Sequence, residues 1–440
     1  MALETVAFLS LGCAKNLVNT EQMAALAAEA GFTLLPEPDG ADIAVLNTCG
    51  FIDSAQAEAI DEILALAELK AAGRLRKILV AGCLVQRHRE EILTELPEVD
   101  GLVGCGSFSA VVDALRALQN GETPVLLGDI DAPEPELPRL LSTPPWTAYL
   151  KIAEGCSNRC TFCVIPSLRG RYRSRAFEDI LTEARGLAEG GVRELIVVAQ
   201  DITRYGVDRY GRPRLAELLL ELCKLDIPWI RLHYLYPDAL DEPLIDVIAG
   251  QEKILPYLDI PIQHISDAVL ARMNRRGTGA DIRTLFRTLR QRIPGLVLRT
   301  SILVGFPGET EADFEALCAF LKEARIERAG VFPFSPQEGT PAASMPDPVP
   351  EEVALHRAEL LGELQERIME EYNESLVGRT LQVLCEGFDE ETNLWFGRSY
   401  GESPDVDGRV LFGAETALPG RFVSVVIRGA LDGEPVGEAL

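Results

Sequence analysis

The sequence predicts an α/β protein in three parts: an N-terminal parallel α/β domain, a partial (βα)6 barrel, and a small antiparallel C-terminal β-barrel of OB-like type. Three observations predict it. Short apolar runs alternate with helical patterns on both sides of a break, which is the mark of βαβ units and parallel sheets. The break itself, Asp131–Pro145, carries five prolines and can continue neither a helix nor a central strand. Beyond residue 374 the apolar runs shorten and are spaced by Gly, Asp and Pro. The expected boundaries are 3–120 for the first domain, 121–141 for the linker, 142–370 for the barrel and 373–440 for the last domain.

In chain order, Thr5–Ser10 reads as a strand, Asn16–Ala30 as a helix and Asp42–Asn47 as a strand. Ser54–Lys70 follows as a helix, Lys77–Ala81 as a strand, and a helix lies near Ser109–Gln119. After the break, strands are expected at Thr147–Ile152, Glu194–Ala199, Trp229–Leu235, Tyr257–Ile260, Val297–Val304 and Gly330–Phe334. Helices between them include Phe177–Glu189, Leu215–Leu225, Ala280–Gln291 and Glu311–Ala324. Six strands without a closing pair point to an incomplete barrel. A second proline-rich break, Pro341–Pro350, precedes an amphipathic helix over Glu351–Tyr372. The last domain is read from Leu381–Cys385, Leu394–Phe396, Val410–Phe412 and Arg421–Ile427.

Composition narrows the function. The 440 residues are 47% hydrophobic, enough for sizeable cores, and no apolar run reaches the length of a membrane span. The start, Met1-Ala2-Leu3-Glu4, lacks the basic and apolar stretches of a signal peptide, so a cytoplasmic protein is expected. A net charge of −26 counts against nucleic acid as the main partner, because phosphate binding rests on Lys and Arg. It fits a basic protein partner, or simply a surface that keeps the chain soluble.

Ten cysteines in such a chain argue for metal binding or catalysis over a disulfide framework. Cys156, Cys160 and Cys163 form Cys-x3-Cys-x2-Cys just after the first strand of the second series. Chance would supply this spacing roughly 0.005 times. The alternatives are three buried structural thiols or a zinc site, but zinc wants a fourth protein ligand and none is near. Three thiolates on a 4Fe–4S cluster leave one iron open to a small chelating molecule. A second set is Cys13, Cys49 and Cys83, each directly after an expected strand and spaced by about one βαβ unit. Parallel strands bring their carboxyl ends to one edge, so these three can converge there. Gly12, Gly50 and Gly82 beside them would let backbone approach a bulky group. The bland reading is scattered core thiols. Cys105, Cys223, Cys318 and Cys385 lack partners at ligand spacing and read as structural.

The three-cysteine motif, with Phe162 before its last member, resembles that of radical S-adenosylmethionine (SAM) enzymes. Nearly the whole chain resembles one family within them, the methylthiotransferases, which carry an extra cluster-binding domain and a C-terminal TRAM domain. The matching strings are Leu11-Gly-Cys-Ala-Lys-Asn-Leu17, Asn47-Thr-Cys-Gly-Phe-Ile-Asp-Ser54 and Lys151-Ile-Ala-Glu-Gly-Cys156. Arg169-Gly-Arg-Tyr-Arg-Ser-Arg175, Pro261-Ile-Gln-His264, Gly305-Phe-Pro-Gly-Glu-Thr310 and Gly339-Thr340 match as well. Asn19-Thr20-Glu21 departs from the more usual Asp-Ser-Glu, a conservative polar swap.

The resemblance implies two 4Fe–4S clusters, on Cys156/Cys160/Cys163 and on Cys13/Cys49/Cys83, with SAM as cosubstrate. It is closest to the branch that places a methylthio group on the β-carbon of an aspartate in small-subunit ribosomal protein S-twelve, using two SAM. It implies SAM contacts from Gln200, Asp201 and Thr203 at the end of the second barrel strand, and from Gly305 and Gly308 after the fifth. Alone, that glycine stretch reads as a plain turn. His264 is open between a cofactor or substrate contact and a satisfied structural histidine. Arg169, Arg171, Arg173 and Arg175 form a basic run, either a solvated loop or a dock for an acidic electron donor or target side chain. A flavodoxin- or ferredoxin-like donor is expected, with no membrane and no nucleic-acid substrate. The rivals are a tRNA adenosine methylthiotransferase and a non-catalytic iron–sulfur scaffold.

Overall fold

The computed structural model describes residues 4–431 and 433–440. The first sheet holds β1 (Thr5–Ser10), β2 (Thr33–Leu35), β3 (Ile43–Thr48), β4 (Lys77–Gly82), β5 (Gly101–Gly106) and β6 (Val125–Gly128). Their order is β2-β1-β3-β4-β5-β6, and all pairs are parallel. Every residue of β3 is buried, as a central strand covered on both faces requires. Ala44, Leu46, Ile78 and Val80 pack on one face against helix Asp53–Ala71 through Ile63 and Leu66. Ile43, Val45, Leu79 and Ala81 pack on the other against helices Ala14–Glu29 and Val111–Gln119 through Met23, Ala27 and Leu115. The strand order reverses between β1 and β3, which opens a crevice at their carboxyl ends. Strand β6 lies inside the stretch read from sequence as linker.

The second sheet begins with β7 (Thr147–Lys151), followed by a short antiparallel pair, β8 (Ala153–Glu154) and β9 (Arg173–Ser174). It continues with β10 (Glu194–Val198), β11 (Trp229–Leu232), β12 (Ile254–Asp259), β13 (Val297–Val304) and β14 (Arg328–Pro333). The parallel order β14-β13-β12-β11-β10-β7 is the expected open six-stranded barrel. Alternate residues such as Leu150, Leu195, Val197, Ile230 and Leu258 join the core under the outer helices. Tyr149, Lys151, Ile196, Val198, Arg231 and Asp259 are therefore left for the inner face.

The third part is a closed barrel, β15 (Thr380–Asp389), β16 (Leu394–Arg398), β17 (Val410–Gly413), β19 (Glu434–Ala439) and β18 (Phe422–Leu431) in that order. It is antiparallel except that β17 pairs with β19 in parallel. Helix Glu351–Ser375 leads into it along β14. Two elements close the inner face of the (βα)6 sheet. Val18 of helix Ala14–Glu29 packs on Tyr149, Ile196 and Val198. From the other side, the loop after β16 brings Tyr400 O to within 2.9 Å of the Arg231 guanidinium and Ser403 Oγ to 3.0 Å from His233 Nε2. Among the described residues no helix is long and apolar enough to cross a membrane.

Candidate cluster and cosubstrate sites

Cys13, Cys49 and Cys83 follow β1, β3 and β4, three adjacent strands at the crevice edge. Cys13 caps helix Ala14–Glu29 and Cys83 opens helix Cys83–Glu95, so backbone N–H groups face both sulfurs' neighbourhood. Burial pushes the Cys49 thiol up to about 11, and negative charge on Cys83 and Cys13 adds to the effect. The three sulfurs thus feel one another. The glycines beside them sit against the neighbouring loops. A Cβ on Gly12, at φ +83°, would lie 2.7 Å from the Cys49 Cβ, and one on Gly82, at φ +95°, would lie 2.3 Å from Asn47 Oδ1. They let the cysteine loops approach each other.

Cys105, read from sequence as an isolated structural thiol, is in fact the neighbour of Cys83. Its sulfur lies 3.7 Å away, because β5 pairs with β4 and ends at the same edge. The Cys105 S–H draws the Cys83 thiol down to about 6, against burial and with help from Arg169. Among the described residues no three His, Cys, Asp or Glu side chains could hold a metal ion. The donor set is nonetheless all sulfur, with the Arg169 guanidinium on Cys83, which suits an anionic iron–sulfur cluster spanning several ångströms.

Arg169 joins this edge to the barrel, so the basic run is not a solvated patch. It is buried, and its Nε donates to Cys83 Sγ at 3.3 Å. Nη1 donates to Asn19 Oδ1 and Glu154 Oε2 at 3.0 Å each, and Nη2 to Asn16 Oδ1. Arg175 is buried too, held by Glu183 at 2.6 Å and by Glu136. Arg171 alone of the four is exposed. The proline-rich stretch supplies the counter-charges. Glu134 pairs with Lys151, Glu136 with Arg175, and Arg139 with Glu21 at 2.6 Å, so it is strapped across the structure.

The barrel thiols lie on the loop after β8. Burial pushes Cys156 up to about 11 and raises Cys163 as well. The Cys160 sulfur lies 3.1 Å from the Tyr236 hydroxyl and accepts from Arg275 at 3.8 Å. Phe162 packs edge-on against Phe306, with ring centroids 6.4 Å apart, and ties the loop to the end of β13.

The expected SAM contacts Gln200 and Asp201 follow β10, and Gly305 and Gly308 follow β13. Gln200 donates to Glu154 Oε1 at 2.6 Å, and its own buried carbonyl oxygen has no partner. Asp201 is fully used: it accepts from Asn158 Nδ2 at 2.8 Å, from the Thr203 N–H at 3.0 Å and from the Thr203 hydroxyl. It pins the thiol loop to the end of β10. A Cβ on Gly305 would fall 2.2 Å from the Ala354 Cβ, and one on Gly308 would fall 2.5 Å from the Arg272 guanidinium carbon, so each lets a neighbour come close. His264 is wholly buried, and its Nδ1 accepts from the Ser266 N–H at 3.0 Å. Burial holds it down to about 4, hence neutral. Its Nε2 is buried as well and has no hydrogen-bond partner, so the ring is only half satisfied.

Sequence reasoning missed Glu154, Lys15 and Tyr234. Burial alone would raise the Glu154 carboxyl, but Arg169 and Lys151 hold it well below the usual range. Its position two residues before Cys156 was the available signal. Lys15 is buried, with its ammonium 3.6 Å from the centroid of the Tyr234 ring.

Comparisons with known proteins agree part by part. Residues 150–321 match the Radical SAM superfamily, 5–104 the Uncharacterized protein family UPF0004, and 377–439 the TRAM domain. A structure of the radical SAM methyltransferase TsrM from Kitasatospora setae superposes with a TM-score of 0.58 at 14% identity, covering 78% of this chain and 77% of that one. The cobalamin-dependent radical enzyme OxsB superposes with a TM-score of 0.51 at 14% identity, covering 83% and 56%. At such identities the likeness is one of fold. The family match over residues 150–321, with the thiol loop at the mouth of the barrel, makes this chain a radical SAM enzyme, a class that uses SAM and a 4Fe–4S cluster.

Relatives much nearer in sequence narrow the class. Proteins named ribosomal protein uS12 methylthiotransferase RimO are 46% identical in Clostridioides difficile, over 99% of this chain and 98% of theirs, and 47% identical in Geobacter sulfurreducens, over 100% and 99%. One from Pelobacter propionicus is 48% identical over 99% and 98%. The chain belongs to this RimO family and is a radical SAM methylthiotransferase.

Proposed function

We propose that the protein inserts a methylthio group at the β-carbon of an aspartate in small-subunit ribosomal protein S-twelve, using two SAM and two 4Fe–4S clusters. The observation that carries this reading is Arg169, one buried guanidinium bonded to a sulfur of the N-terminal thiol set and to Glu154 on the approach to the barrel thiols. Two cluster sites so joined suit a reaction in which sulfur and radical chemistry meet on one carbon. Cys156, Cys160 and Cys163 would hold the barrel cluster, and Cys13, Cys49 and Cys83 the other. When bound, these groups supply the electron that cleaves SAM and the sulfur that is transferred. The chain supplies position. Asp201, through Asn158, and Phe162, through Phe306, fix the barrel thiol loop. Glu154 orients Gln200 so that its free carbonyl can accept from an ammonium such as that of SAM. Helix Ala14–Glu29 and the loop after β16 cover the inner face and exclude water from it. In this reading 3–120 is the sulfur-side domain, 121–141 a strap, 142–370 the radical core and 373–440 the substrate-docking domain. The protein works in the cytoplasm with a flavodoxin- or ferredoxin-like donor.

The test is mass spectrometry of ribosomal proteins from a deletion strain, where S-twelve should lack a methylthio group of about 46 Da. Complementation should restore it, and Cys156/Cys160/Cys163→Ala should not. The triple variant should keep the iron of one cluster and form no 5′-deoxyadenosine. An unchanged S-twelve in the deletion strain, with altered tRNA adenosines, would favour the tRNA rival.

A further inference from the structure

We propose that Lys15 recognises the carboxylate of the target side chain and so selects an acidic residue for modification, an inference that rests on the aspartate substrate of the reading above. Most buried or half-buried cations around the two thiol sets have carboxylate partners; Arg275, on the barrel side, donates to the Cys160 sulfur and the Pro261 carbonyl instead. Lys151 pairs with Glu154 at 3.0 Å, Arg231 with Glu194 at 2.7 Å, and Arg299 with Asp259 at 2.9 Å. Arg169 takes Glu154 at 3.0 Å. Lys15 is as buried as these, 6% exposed, yet its electrostatic neighbours are Tyr234, Cys13 and Arg169, with no carboxylate among them. Burial disfavours the ammonium, while Tyr234 and Cys13 favour it and leave it charged, and an incoming carboxylate would add a full charge partner.

Its position fits. Lys15 is two residues from Cys13, on the helix that starts at the crevice edge, and its ammonium lies over the ring of Tyr234 beyond the end of β11. It therefore stands between the N-terminal thiols and the inner face of the barrel. Tyr234 is held at φ +64°, a left-handed conformation that a tyrosine rarely adopts. Its N–H is anchored on Asp259 Oδ2 at 3.2 Å. Strain of this kind persists where the surroundings fix a side chain for use. A carboxylate on Lys15 would set the adjoining carbon beside Cys13, where sulfur would arrive.

The experiment uses the full-length protein with reconstituted clusters and two peptides spanning the target loop of S-twelve, one with the target aspartate and one with asparagine. Wild type should bind the aspartate peptide at least about tenfold more tightly, as expected for a buried charge pair. Lys15→Met should erase that ratio, and Lys15→Arg should keep most of it. A purely structural lysine would change affinity for both peptides equally. Retention of the ratio by Lys15→Met overturns the inference, as does loss of iron from that variant, which would make Lys15 a support of Cys13. If wild type modifies neither peptide nor intact S-twelve, the substrate reading itself fails. If wild type modifies the aspartate peptide while Lys15→Met still discriminates, only this inference fails.

Discussion

At the scale of single residues, the structure turns on how buried charges are matched. Arg169 has four partners on two domains, and removing it leaves the buried Glu154 with Lys151 as its remaining charge partner, beside the Gln200 amide. Breaking a buried pair costs about 3–5 kcal/mol, and the surviving Lys151 puts Arg169→Met near 3. The expected result is a denaturation midpoint lowered accordingly, with loss of iron from the N-terminal set because Cys83 loses its guanidinium. Arg169→Lys should recover part of the stability and little of the iron, since an ammonium cannot reach all four partners. A midpoint within experimental error of wild type would refute this. The run Arg169–Arg175 shows why such residues are hard to read from sequence. Glu136 and Glu183 lie 39 and 8 residues from Arg175, and Glu154 lies 15 from Arg169, so nothing local reveals that the charges are internal. The barrel thiols, by contrast, sit within eight consecutive residues and were legible at once.

At the scale of elements, strongly patterned segments were readable and weakly patterned ones were not. Thr5–Ser10, Phe177–Glu189, Val297–Val304 and Glu311–Ala324 match expectation to the residue. The glycine-rich β5 (GLVGCG) carries little strand signal, and without it Cys105 has no sheet to place it. Strand β6 hides beside prolines, and β19 is built from Glu, Pro and Gly. The seam between the inner face and the closed barrel is another element that only three dimensions reveal. Glu194 opens β10 and accepts from Arg398 at 2.6 Å and Arg231 at 2.7 Å, with all three buried. Burial alone would raise Glu194, but the two guanidinium groups bring it down to about 2. A depressed carboxyl stabilises the fold fully above its unfolded value near 4.3, and this contribution is lost as pH falls toward 2. The seam should therefore weaken by about 3 kcal/mol between pH 5 and pH 2. Trp229, whose ring lies 4.7 Å from that of Phe422 across the seam, should report the opening by fluorescence. Glu194→Gln should open at neutral pH and lose most of this acid step; an acid transition unchanged in the variant would remove Glu194 as its cause.

At the scale of the whole molecule, charge argues for the kind of substrate. Residues 374–440 hold five Arg and no Lys against twelve acidic residues. The imbalance persists at the surface: Arg398 and Glu402 are both buried, Arg409 is taken by Asp389 at 2.7 Å and Glu434 at 3.0 Å, and Glu374, Glu390, Glu391, Asp405 and Glu415 are exposed. A domain meant to grip RNA would need free cations for phosphates. An acidic one instead attracts a Lys- and Arg-rich ribosomal protein, chiefly by speeding encounter. The turn between β15 and β16 is the place to test this. Asp389 is occupied there with Arg409 and with the Glu391 N–H at 3.0 Å, while the Glu390 and Glu391 side chains are exposed. Glu390→Lys with Glu391→Lys should raise the KM for S-twelve by about three- to tenfold at low salt, with kcat little changed. The difference from wild type should shrink as ionic strength passes about 0.15 M, where surface charges are screened beyond about 8 Å. A double variant with unchanged KM at low salt would show that this face takes no part in docking. A double variant that gained affinity for tRNA while losing none for S-twelve would show that charge here excludes nucleic acid without recruiting protein.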